Sequence, residues 1–141
     1  MAITRAGSAI WKGNLKEGEG SVSTKSGAIT AMPYSFNTRF GEVTGTNPEE
    51  LIGAAHAGCY SMALSNMLYE AGIAAESVDT TSKVTLDFPG GVPTITKAHL
   101  VTVIKAPAAE AVLLDFAEKA KAGCVISRAL NAEITLEATV A

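Results

Sequence analysis

Thr46-Asn47-Pro48-Glu49-Glu50-Leu51-Ile52-Gly53-Ala54-Ala55-His56-Ala57-Gly58-Cys59-Tyr60-Ser61-Met62-Ala63-Leu64 is the stretch on which the architecture turns. It opens as helices open. Thr46 or Asn47 suits the cap, Pro48 the first helical position, and Glu49 and Glu50 complement the positive end of the helix dipole. The helix is expected from Pro48 to about Ala71, with Gly72 as its stop. His56, Ser61, Ser65 and Asn66 interrupt the apolar run, so it reads as a buried core helix and not a membrane span. A helix that is apolar nearly all round must be covered on every side. One small sheet covers one face, so a second copy of the chain is the expected supplier of the rest, as a homodimer.

Short apolar pieces separated by turn signals precede this helix. Ala9-Ile10-Trp11, Ser21-Val22-Ser23-Thr24 and Ala28-Ile29-Thr30 read as three strands of a β-meander, with breaks at Gly13-Asn14, Gly18 to Gly20 and Ser26-Gly27. After the helix, residues 81–88 alternate, with Val84, Leu86 and Phe88 on one face. Pro89 to Pro93 is a turn, and Ile95 to Ile104 a second strand completing a β-hairpin. A second helix is expected from Pro107 to Gly123, with Val112, Leu113, Phe116 and Ala120 as its core stripe. A short helix from Val125 to Leu130 and a last strand carrying Ile134, Leu136, Ala138 and Val140 follow. The class is α+β, a sheet packed on helices, and the 141 residues are most simply one domain, 1–141.

The charge balance narrows the function. A formal charge of −3 and no Lys/Arg cluster exclude nucleic acid as a natural partner. Two cysteines are too few for a secreted disulfide framework, and the first residues lack the plan of a signal peptide. The cytoplasm is the expected compartment, where a disulfide would be transient.

Cys59 and Cys124 are therefore the residues to weigh. On helical spacing Cys59 shares a stripe with Ile52, Ala55, His56, Met62, Ala63 and Asn66. It is either inert packing, which free cysteine does well, or a protected reagent. A free thiol near pKa ~8.5 is only a few per cent thiolate at neutral pH. Cys59 lies about three turns in from Pro48, beyond the reach of that helix's dipole, so a cation is the expected activator. Arginine suits an apolar site. Of the three arginines, Arg39 is framed by Phe36 and Phe40 just before the helix, Arg128 follows Cys124 by four residues in the short apolar helix, and Arg5, near a terminus, is the weakest candidate.

The chain resembles the OsmC/Ohr family (osmotically inducible protein C and organic hydroperoxide resistance proteins), and within it the OsmC branch. The residues that carry the resemblance run in order along the chain: Trp11 with Gly13, Gly20 to Gly27, Phe36-Asn37-Thr38-Arg39-Phe40, Thr46 to Ala57, Cys59, Ser61 to Leu64, Glu70 to Gly72, Lys119 to Cys124 and Ala132 to Leu136. The block from Thr46 to Leu64 is the specific part. The resemblance implies an intertwined α+β homodimer with active sites at its interface. It implies a thiol peroxidase that reduces organic hydroperoxides in oxidative and hyperosmotic stress. By position it assigns Cys59 as the peroxidatic cysteine, Cys124 as the resolving one, Arg39 as the arginine that holds the thiolate, and Glu49 as the carboxylate that orients this arginine. It implies no bound cofactor and an external dithiol reductant such as dihydrolipoamide or a lipoylated protein. The chain departs from the family in carrying Val125, where proline is usual, after its second cysteine.

Glu49 and Cys59 are ten residues apart, about 15 Å along a straight helix. Glu49 therefore cannot touch its own Cys59, and the expectation is that Arg39 and Glu49 serve the thiol of the other subunit. The two histidines and two cysteines lack the tight pairing of a zinc site, and His56 reads as a core histidine bonded to a neighbour. The rival reading is a non-catalytic stress-related dimer that binds a small apolar ligand and keeps both thiols as structure.

Overall fold

Pro48–Glu70 forms the long helix α2 in the computed structural model, which describes all 141 residues. Its end is a Schellman motif. Gly72 sits at φ +79, where a Cβ would be strained, its N–H reaches the Tyr69 carbonyl, and the Ile73 N–H reaches that of Leu68. One stripe of this helix is buried: Glu49, Gly53, His56, Tyr60, Leu64 and Leu68, at steps of three and four. The opposite face is open in the subunit, with Met62 77% and Tyr69 75% exposed. The expectation of cover on every side is thus not met by this chain alone.

Two compact units divide the chain, Met1–Pro48 and Glu49–Ala141. The first holds an antiparallel sheet in the order β1 (Gly7–Lys12), β2 (Glu19–Thr24), β3 (Met32–Tyr34). The third strand was expected at Ala28 to Thr30. Those residues instead form a loop, folded back by the Thr24 N–H donating to the Ile29 carbonyl (2.8 Å) and the Ile29 N–H donating to Thr24 Oγ1 (3.1 Å). The strand begins after Ala31, which takes φ +48. A one-turn helix α1 (Phe36–Phe40) follows. Ser35 and Thr38 close a reciprocal capping box at its start.

The second unit is a three-stranded sheet under helices. Strands β4 (Ser77–Asp87) and β5 (Thr94–Lys105) form the antiparallel hairpin, and β6 (Glu133–Val140) pairs with β5 in parallel. A parallel neighbour requires a crossover, and the chain between β5 and β6 supplies it as α3 (Glu110–Gly123) and α4 (Val125–Ala129). Strict alternation along β4 turns Val78, Thr80, Ser82, Val84 and Leu86 inward. It ends at Asp87, leaving Phe88 52% exposed instead of in the core. Ala98, Leu100, Thr102 and Ile104 of β5 are fully buried. Helix α3 starts at Glu110, three residues later than Pro107. Its buried positions are Leu113, Ala117 and Ala120, while Val112 is 42% exposed. The core joins Tyr60, Leu64 and Leu68 of α2 to Leu100, Ile104, Leu113, Ala117, Ala120 and Cys124. Each buried leucine contributes about 1.5–3 kcal/mol. The mixed α+β class is as the sequence led one to expect.

Candidate active site

Both sulfurs lie in the second unit, and they meet. Cys59 is partly exposed on α2; Cys124 is fully buried at the joint between α3 and α4. Burial alone raises the Cys59 thiol pKa. Hydrogen bonds to its sulfur from the backbone of Ile126, the side chain of Cys124 and the backbone of Val125 outweigh that, and the net direction is downward. The amino end of α2 is too far away to act on this sulfur, and a cation is what the residue types lead one to expect. Backbone N–H groups from another segment do part of that work, and side-chain spacing carries no signal for them.

The local fold explains why these donors face the sulfur. Cys124 stands at φ −58, ψ 129, an extended break that ends α3 and starts α4. Its own N–H completes α3 on the Ala120 carbonyl, and its carbonyl accepts from Arg128. The next two N–H groups, those of Val125 and Ile126, are in the first turn of α4 and have no partner within it. Tyr60, beside Cys59, fixes the separation of the two helices. Its hydroxyl donates to the Ala117 carbonyl (3.0 Å), and burial, with the Glu118 charge, pushes its pKa well above the ordinary tyrosine value.

His56, one turn before Cys59, is fully buried between two serines. Nδ1 meets Ser82 Oγ of β4 at 2.7 Å and Nε2 meets Ser127 Oγ of α4 at 2.8 Å. Burial lowers its pKa, so it is the neutral imidazole that bridges them. It is thus a core histidine bonded to neighbours. Ser82 and Ser127 gave no signal in the sequence, since a serine's partner depends on the tertiary fold. His99 is occupied elsewhere, its Nδ1 2.6 Å from Thr135 Oγ1.

Arg39 lies in the last turn of α1 in the first unit, its guanidinium 5.1 Å from the centre of the Phe40 ring. With Trp11, Leu15, Tyr34, Phe36 and Phe40 it lines a cavity of about 220 Å³. Glu49 is a buried carboxylate in the first turn of α2. Arg128 is exposed at the end of α4, and Arg5 is exposed with a hydrogen bond to the Thr4 carbonyl. No cluster of three His, Cys, Asp or Glu side chains is arranged to hold a metal ion. No helix is long and apolar enough to cross a membrane.

A partly exposed sulfur with a lowered pKa, lying against a buried thiol, has the parts of a two-cysteine redox centre. The first can be reached from solvent, and the second is hydrogen-bonded to it. The chain as a whole is similar to known proteins. The OsmC-like protein family model matches residues 41–139. Peroxiredoxin OsmC of Escherichia coli (strain K12) is 52% identical over 138 residues, 97% of this chain and 96% of that protein. The uncharacterized protein YmaD of Bacillus subtilis (strain 168) is 35% identical over 103 residues, 68% of this chain and 69% of its own. Among solved structures, an organic hydroperoxide resistance protein from Elizabethkingia anophelis matches with a TM-score of 0.78 at 23% identity, covering all of both chains. An OsmC protein from Legionella pneumophila matches at 0.74 and 24% identity, covering 100% of this chain and 98% of that one. At such identities the solved structures speak for the fold.

Proposed function

The chain belongs to the OsmC-like protein family and is a peroxidase, and we propose that it reduces organic hydroperoxides to alcohols through a Cys59 sulfenic acid and a Cys59–Cys124 disulfide. In this reading it is an antioxidant enzyme of the stress response. The observation that carries it is the set of donors on the Cys59 sulfur: two backbone N–H groups and the Cys124 thiol.

The steps follow from those positions. The Cys59 thiolate attacks one peroxide oxygen. An S–O bond forms as the O–O bond breaks, and the alkoxide leaves and takes up a proton to become the alcohol. Cys59 is oxidised to a sulfenic acid and the peroxide is reduced. Cys124 then attacks this sulfur, an S–S bond forms, the S–O bond breaks, and water leaves. Because Cys124 is already hydrogen-bonded to Cys59, the second step needs little rearrangement and shields the sulfur from further oxidation. An external dithiol, dihydrolipoamide or a lipoylated protein, returns both electrons by exchange.

A larger thiolate fraction accounts for about 30-fold in rate at most, or ~2 kcal/mol. The rest is assigned to donors aimed at the oxygen that gains charge. Arg39, oriented by Glu49, is proposed as that donor, supplied to each thiol by the second subunit of a homodimer in the cytoplasm. The open, largely uncharged face of α2 supports such a dimer, and Arg39 among aromatic rings suits a peroxide with an apolar substituent. The lowered Cys59 pKa speaks against the rival reading, in which both thiols are inert structure.

Titrating reduced protein with one equivalent of cumene hydroperoxide tests the proposal. The enzyme should lose two free thiols per chain without cross-linking of chains, and a Cys124→Ser variant should trap Cys59 as an oxidised acid. Thiols that persist under this treatment would refute the reading.

A further inference from the structure

We propose that His56 is a positioning residue for the thiol: through Ser127 it fixes the start of α4, whose Val125 and Ile126 amides hold the Cys59 sulfur. This rests on Cys59 being the reacting group, as proposed above. His56 itself is not among the groups that hydrogen-bond the sulfur.

Helix α4 has only five residues. Isolated helices shorter than about 12–15 residues are marginal in water, so α4 owes its place to tertiary ties. Its one buried residue is Ser127, 7% exposed. The Ser127 hydroxyl meets His56 Nε2 at 2.8 Å, and the other ring nitrogen is held from the sheet by Ser82 Oγ at 2.7 Å. The imidazole is therefore anchored to β4 on one side and anchors α4 on the other. Positions 56 and 59 lie on one helix face, three residues apart. On the opposing side, Ser127 follows Val125 and Ile126 directly. One buried bridge thus joins the two segments that must stay in register for backbone N–H groups to meet the sulfur. A buried ring that loses either partner is left with an unsatisfied nitrogen, so the bridge favours a single arrangement.

The test compares wild type, Ser127→Ala, Ser127→Thr and His56→Gln. Cys59 alkylation by iodoacetamide is followed by mass spectrometry from pH 5 to pH 10, alongside consumption of cumene hydroperoxide. Ser127→Ala should shift the alkylation profile to higher pH and slow Cys59 alkylation at pH 7 several-fold. Peroxide consumption should fall in parallel. Ser127→Thr, which keeps the hydroxyl, should restore most of both. His56→Gln should resemble Ser127→Ala or lose more. A Ser127→Ala protein that is less stable but keeps the wild-type alkylation profile would overturn the proposal, because His56 would then serve the fold alone. Should His56→Gln fail to fold, the serine pair still decides. The alkylation profile is read without peroxide. A wild type that consumes no hydroperoxide would therefore defeat the peroxidase reading while leaving this comparison interpretable.

Discussion

Exchanging Gly53 for alanine should weaken this protein, although alanine is the better helix former. In a helix interior the exchange is ordinarily worth about 0.5–1 kcal/mol in alanine's favour. Here a Cβ on residue 53 would stand 2.8 Å from the carbonyl oxygen of Ser82, a backbone atom of β4, and 3.7 Å from Val84 Cγ2. The second is ordinary contact; the first is closer than the atoms tolerate. A paired strand cannot swing aside as a side chain can, so α2 and β4 must part by a few tenths of an ångström. Overpacking of this kind costs about 1–3 kcal/mol. The sum is a loss of about 1 kcal/mol, or about 2–4 °C in midpoint for a chain of this size. Urea denaturation at matched protomer concentration would measure it. The displacement also lengthens the 2.7 Å contact of His56 with Ser82, so Cys59 alkylation at pH 7 should slow in the same variant. A Gly53→Ala protein more stable than wild type by the full helix-propensity gain would refute the reasoning, since it would mean that nothing presses on that position.

Other expectations can be checked as directly. A heterodimer with Arg39→Ala on one chain and Cys59→Ser on the other should keep half the wild-type peroxidase rate if the arginine acts across subunits; near-zero activity would place it within its own chain. His56 has its pKa lowered from 6.5 in the folded protein, so the stability it contributes is complete above pH 6.5 and is lost as pH falls through its folded pKa. The slope approaches about 1.4 kcal/mol per pH unit, and pH-dependent denaturation of a folded His56→Gln protein should show that part of the acid limb flattened. Tyr60, with its pKa raised from 10.0, gives the mirror case. Its stability is present below pH 10 and lost above it, and Tyr60→Phe should flatten the alkaline limb. Met62, 77% exposed, should be covered in the proposed dimer; Met62→Glu should then yield a smaller species in sedimentation, and unchanged mass would place the interface elsewhere.

The elements most legible in the sequence were those whose signals are local. Pro48, the two glutamates and Gly72 set α2 to within one residue, and alternation marked β6. Where long-range contacts decide, the sequence said less. Ala28-Ile29-Thr30 has strand composition, but the loop's hydrogen bonds to Thr24 claim it. Pro107 was read as a helix start, yet α3 begins at Glu110. At the site, the two sulfurs could be named from residue type. The amides of Val125 and Ile126 could not, because every residue but proline carries one. The polar positions inside β4 (Ser77–Asp87), a strand expected only from residue 81, carry no local signal either. Thr80 and Ser82 interrupt an otherwise apolar face, and only the folded chain shows why: Ser82 meets His56, and Thr80 lies 2.8 Å from both Ser61 and the buried Thr102.

The parallel pairing of β5 with β6 has a consequence for the order of events at birth. The segment that brings Cys124 to Cys59 is the crossover between those strands, held along its length by α2 and at its far end by the eight-residue β6. On the ribosome, Cys59 emerges long before its neighbours are secured. Loss of β6 takes away one of the crossover's anchors, and a nonsense codon ahead of Glu133 should produce a protein with both sulfurs but a looser pairing.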